Sequence, residues 1–139
     1  MIPIARPFAR IAERLRGVGL RPTRQRLSLG RILFAKGDRH VTAEMLHDEA
    51  QADGVRVSLA TVYNTLNQFT AAGLLREVAV DTGRSYFDTN TSRHHHFYDH
   101  RGRELTDIPA EGLRVQGLPR PPEGLAIDRI DVVVRLKKA

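Results

Sequence analysis

Six histidines lie in this chain of 139 residues, and three are consecutive: His94, His95 and His96. Neutral imidazole binds zinc, iron or manganese, and it also suits the axial position of a haem iron. On an extended backbone alternate side chains share a face, so His94 and His96, about 7 Å apart at Cα, can approach one centre while His95 points the other way. One tripeptide can therefore serve two sites. Cysteine is absent, which excludes thiolate zinc sites, disulfides and cysteine nucleophiles.

A second group of residues suits recognition rather than ligation. On a helix starting near Ser58, Thr61, Tyr63, Asn64, Asn67 and Gln68 fall on one face and the apolar Leu59, Val62, Leu66 and Phe69 on the other. Uncharged donors and acceptors of this length reach base edges in a DNA major groove, where an ordinary surface helix carries Lys and Glu. The 22 Lys and Arg exceed the 16 Asp and Glu by six, a surplus that suits a polyanionic partner. Sparse aromatics and no Trp argue against a single-strand stacking platform.

The elements that must position these residues follow from periodicity and punctuation. A first helix is expected over residues 7–16, with Phe8, Ile11 and Leu15 on one face and Gly17 as its stop. Thr23 can cap a second helix carrying Leu29, Ile32 and Leu33, in a stretch crowded by Arg21, Arg24, Arg26 and Arg31. Thr42 caps a third, with Glu44 in its first turn, Leu46 and Ala50 stacked, and Gly54 as terminator. Ser58 caps the fourth, which ends before Gly73. Residues 75–80 and 85–88 then read as strands joined at Asp81-Thr82-Gly83, with Arg84 at the tip. Helices followed by a basic-tipped hairpin describe a winged helix-turn-helix, the last helix in the groove and the wing on phosphate.

The fold class expected is α+β: a winged helix-turn-helix DNA-binding domain over residues 1–88, a hinge at 89–93 and a small α/β dimerisation domain over 94–139. In the last, strands are expected at 94–98, 104–108 and 127–136, the first two joined by a turn at Asp99-His100-Arg101-Gly102. So short a segment cannot bury a stable core alone, so a second copy is expected to complete it. A two-fold dimer would address a pseudo-palindromic operator in double-stranded DNA. No apolar run approaches the roughly 20 residues that span a bilayer, and a cytoplasmic location is expected.

Gly19-Leu20-Arg21-Pro22-Thr23-Arg24-Gln25-Arg26, Val41-Thr42-Ala43-Glu44 and the block from Ser58-Leu59-Ala60-Thr61-Val62-Tyr63 to Phe69 resemble the ferric uptake regulator family over nearly the whole chain. Phe34-Ala35-Lys36-Gly37-Asp38-Arg39-His40, Tyr86-Phe87-Asp88-Thr89-Asn90 and His94-His95-His96-Phe97 most resemble its alphaproteobacterial iron response regulator (Irr) branch. That resemblance implies a transcription regulator of iron and haem genes, active when iron is scarce and inactivated by haem. The alternative is a family repressor that responds to iron, manganese or zinc without haem.

Carried over by resemblance, the DNA-binding set is Arg21, Thr23, Arg24, Ser58, Thr61, Tyr63, Asn64 and Arg84. Asn64 stands where the family often has arginine, which points to an operator unlike the usual iron box. The regulatory metal ligands are His40, Asp88, His95, His96 and Asp107, although an extra residue before the run leaves open which of His94 to His96 fills which slot. Haem is expected on His94, His95 and His96. The cysteine pairs that often hold a structural zinc are missing, so that zinc is expected to be absent.

Two other classes fit the residues less well. A metal-dependent hydrolase needs a general base beside an open coordination position, and no His-Glu-x-x-His, Gly-x-Ser-x-Gly or phosphate-loop pattern occurs, so no enzyme activity is expected. A DNA-packing protein would bind without sequence preference and steeply in salt.

Overall fold

A computed structural model describes residues 6–81, 83–92 and 94–139, folded as two compact units, Met1–Thr91 and Ser92–Ala139. Helices and sheets together make the α+β class expected.

In the first unit, helices α1 (Arg6–Gly17), α2 (Arg24–Phe34), α3 (Ala43–Ala52) and α4 (Leu59–Ala71) precede a hairpin of β2 (Arg76–Asp81) and β3 (Arg84–Asp88). Three helices begin at the hydroxyl caps foreseen. Thr23 accepts from the Arg26 amide (3.3 Å), Thr42 from the Met45 amide (3.1 Å) and Ser58 from the Thr61 amide (3.1 Å), each satisfying a first-turn N–H that the helix leaves orphaned. The first helix does not stop through Gly17. Gly19 takes the left-handed φ of 80°, so that its N–H meets the Arg16 carbonyl (3.0 Å) and the Leu20 N–H meets that of Leu15 (2.8 Å). The same closure at Gly73 (φ 87°) turns Leu74 back onto Phe69 (2.9 Å). Leu20 and Leu74 thereby enter the core.

That core holds Ile11, Leu15, Leu29, Leu33, Leu46, Val62, Leu66 and Phe69. Leu59 is not part of it. Expected on the buried stripe of α4, it is 37% exposed, because it is the first residue of the helix, where the stripe runs out beyond the packed layer. Thr65 is buried in its stead, its hydroxyl donating to the Thr61 carbonyl (2.9 Å).

A two-residue strand, β1 (His40–Val41), was not foreseen. It pairs antiparallel with β3, His40 opposite Asp88 and Val41 opposite Phe87, giving a sheet of order β1-β3-β2. The hairpin closes with Asp81 opposite Arg84 and Gly83 at φ 74°. Thr82, expected in that turn, lies outside the described residues, as does Arg93 of the expected hinge.

The second unit is a three-stranded sheet of order β5-β4-β6. Its central strand β4 (His95–Asp99) pairs antiparallel with β5 (Glu104–Ile108) and parallel with β6 (Val133–Leu136). Its helical content among the described residues is one 3-10 turn, Ala110–Gly112. The last strand is shorter than the ten residues expected. Five-residue β4 offers pairing only from His96 opposite Val133 to Asp99 opposite Leu136, and β-branched residues without a partner strand stay irregular.

Candidate nucleic-acid interface and metal centre

On α4, Tyr63, Asn64, Asn67 and Gln68 are exposed and Thr61 is half-buried, so the predicted polar face is the one turned to solvent. Arg21, Thr23 and Arg24 are exposed at the start of α2, while Arg84 is half-buried at the start of β3. Of the two capping residues, Ser58 has its hydroxyl hydrogen already committed and Thr23 does not. Ser58 donates to the Thr61 hydroxyl (3.0 Å) while accepting at the cap, and the Thr23 hydroxyl oxygen accepts at its own. They shape the interface by starting the helices.

Two residues at this face were not among the sites expected. Arg26 bridges the helices, its Nε donating to Oε1 of Gln68 (3.1 Å) and its guanidinium to the Arg21 carbonyl (2.9 Å). With Thr23, Gln25, Thr61, Asn64, Thr65 and Gln68 it lines a shallow polar depression of about 260 Å³. Glu44, in the first turn of α3, accepts from the Tyr63 hydroxyl (2.9 Å). That hydrogen bond, then burial and the carboxylate charge, push the Tyr63 phenol above its ordinary value of 10.0. Neither link has a periodic signature: Glu44 and Tyr63 stand 19 residues apart and Arg26 and Gln68 stand 42 apart.

The histidine ligands expected divide between the units. In the first, the β1–β3 register sets His40 Nε2 3.1 Å from Oδ2 of the buried Asp88, whose other oxygen accepts from the Asn90 amide (2.9 Å). Arg39 fixes the approach to β1. It forks onto Glu49 of α3, one arm at 3.0 Å, while its amide donates to the Thr89 hydroxyl (2.8 Å) and its carbonyl accepts from the Thr89 amide (3.0 Å).

In the second unit, His94 and His96 are buried and their Nε2 atoms lie 3.1 and 3.4 Å from the same oxygen of Asp107, Oδ1. The two rings meet edge to face at 4.6 Å. His95 does not join them. On the opposite face of β4, its Nδ1 accepts from the Val132 amide (3.1 Å), so the alternation brings His94, not His95, to Asp107.

His94 decides what this cluster can hold. Its Nδ1 lies 2.7 Å from the Ser92 carbonyl oxygen, an acceptor only, so Nδ1 carries a hydrogen and Nε2 is the atom left to meet Asp107, as a lone pair when the ring is neutral. At 3.1 Å the ring nitrogen and the carboxylate oxygen are held together either by a proton on Nε2 or by a cation bound to both. Two imidazole nitrogens and a carboxylate oxygen, all within 4.8 Å of one another, suit a borderline divalent cation. The backbone hydrogen bond that orients the ring is the usual outer support of such a ligand.

The model of the ferric uptake regulator family matches residues 17–123. The chain belongs to the ferric uptake regulator family. Members of this family are regulators of transcription, not enzymes. It is 42% identical over 82 residues to the ferric uptake regulation protein of Bordetella parapertussis, a match covering 58% of each chain. The chain thus spans less than two thirds of the length of that curated relative. Among solved structures it is similar to the ferric uptake regulator of Pseudomonas aeruginosa with manganese: TM-score 0.69, 26% identity, 92% of this chain and 97% of that one. A zinc-bound manganese uptake regulator superposes with TM-score 0.59 at 25% identity, covering 91% of this chain and 99% of the other. These relatives establish the family, and they do not carry the haem-responsive branch suggested by the sequence motifs. Among the described residues no helix is long and apolar enough to cross a membrane.

Proposed function

We propose that this chain is a metal-responsive, DNA-binding transcription regulator, dimeric through its second unit, that reads a pseudo-palindromic operator with α4 and rests the β2–β3 wing on phosphate. The observation that carries the metal part is the convergence of His94 Nε2 and His96 Nε2 on one oxygen of Asp107. The DNA part rests on an uncharged polar face along a capped helix, beside a net charge of +6. Phe97, Leu118, Leu125, Ile127 and Leu136 of the second unit expose apolar surface, which a second copy would cover.

His94, His96 and Asp107 would hold the cation, and the His40–Asp88 pair of the first unit offers donors of the same chemistry. Binding would then favour the form of the regulator that holds the operator. Manganese, iron and zinc all suit these donors, and the relatives named above were solved with manganese or zinc.

Haem control is the less supported reading. An axial ligand needs an imidazole lone pair open to a porphyrin face, whereas His94 and His96 are buried against Asp107. His95 has its Nδ1 engaged by Val132, which leaves the hydrogen on Nε2.

Selection of duplexes from a random pool by the full chain, with and without manganese, tests the reading. A palindromic consensus recovered only with the metal is expected. Equal recovery without manganese would overturn metal control, and recovery only after haem removal would restore the haem reading.

A further inference from the structure

Tyr63 is the one phenol on the exposed face of α4, and its hydroxyl is already committed: it donates to Glu44 Oε1 at 2.9 Å. A phenol has one hydrogen to donate and lone pairs with which to accept. Glu44 sits in the first turn of α3, where the helix N-terminus favours the ionised carboxylate. An O–H···O⁻ bond is among the stronger hydrogen bonds.

From this geometry, and resting on the DNA-binding reading above, we propose that Glu44 determines specificity by turning Tyr63 into an acceptor that selects a base presenting an exocyclic amine in the major groove. Phosphate oxygens only accept, so a Tyr63 whose hydrogen is held by Glu44 has nothing to offer them, and the adjacent carboxylate repels them. Guanine N7 and O6 and thymine O4 are likewise acceptors. The donors in the groove are the N6 amine of adenine and the N4 amine of cytosine. Tyr63 therefore prefers A or C over G or T on the strand it faces. Glu44 acts through Tyr63 as a positioning residue. The elevated ionisation of Tyr63 agrees, since the neutral phenol persists through the physiological range.

Duplex selection from a random pool by the full manganese-loaded chain, repeated with Glu44→Ala and Tyr63→Phe, tests the assignment. Both side chains are exposed, and circular dichroism verifies that the variants keep their helices. The wild type is expected to prefer A or C about tenfold at one position of each half-site, the scale of one good hydrogen bond. Both variants lose that preference and keep the rest of the consensus. Glu44→Ala also binds random duplex more tightly, because a negative charge beside the phosphates is gone. An unchanged preference in Glu44→Ala, or one lost in Tyr63→Phe alone, overturns the assignment while leaving the regulator intact. A wild-type chain that selects no duplex overturns the DNA-binding reading, and the assignment with it.

Discussion

His94 points Nε2 at Oδ1 of Asp107 from 3.1 Å, and it does so because its other ring nitrogen is tied to the Ser92 carbonyl. In the metal-free chain only a proton on Nε2 can join these two groups. Asp107→Asn should therefore change metal-free stability by no more than about 1 kcal/mol, because an amide N–H can donate to the neutral ring where the carboxylate cannot. It should also remove most of the stabilisation that manganese confers. Urea denaturation with and without the metal checks both expectations.

Leu66 and Leu59 separate the packing of α4 from its hydropathy pattern. Leu66 is fully buried and Leu59 is 37% exposed. Leu66→Ala should cost about 2–5 kcal/mol and Leu59→Ala less than about 0.5 kcal/mol. Equal losses in denaturant unfolding would return Leu59 to the core.

Ser58→Ala removes the acceptor for the Thr61 amide. A loss of about 1 kcal/mol is expected from an N-cap of this kind, read as a lower denaturation midpoint. Ser58→Asp, which still accepts, should restore it.

The Tyr63–Glu44 hydrogen bond has a sign in pH. Tyr63 ionises above its ordinary value in the folded chain because Glu44 accepts its hydrogen. The folded state thus favours the protonated phenol. The stabilisation is present in full below the unfolded value near 10 and is lost as pH rises through the higher folded value. Being partly exposed, the pair contributes modestly. Tyrosinate absorbance should show the Tyr63 transition moving down toward about 10 in Glu44→Ala, and no movement would break the pairing.

What was legible in the sequence was local. Thr23, Thr42 and Ser58 act within three residues of where they stand, and alternation along β4 separates His95 from His94 and His96 before any fold is known. β1 was not legible, because two residues have no period and His40–Val41 become a strand only through pairing with β3. The same holds for Glu44, whose role depends on a tyrosine on another helix. Resemblance supplied His40 and Asp88 as ligands where periodicity could not, and it placed His95 among them. The Val132 amide, bonded to the His95 ring, is a contact from a residue 37 positions away, just before β6, that no local pattern announces.

Duplex affinity followed by fluorescence anisotropy during a manganese titration, in the wild type, His94→Ala and His95→Ala, tests the central claim most directly. The wild type and His95→Ala should gain about tenfold or more in affinity as metal is added, and His94→Ala should gain little. Equal affinity with and without manganese in the wild type, or a loss in His95→Ala as large as in His94→Ala, would contradict control by a cation held against His94, His96 and Asp107.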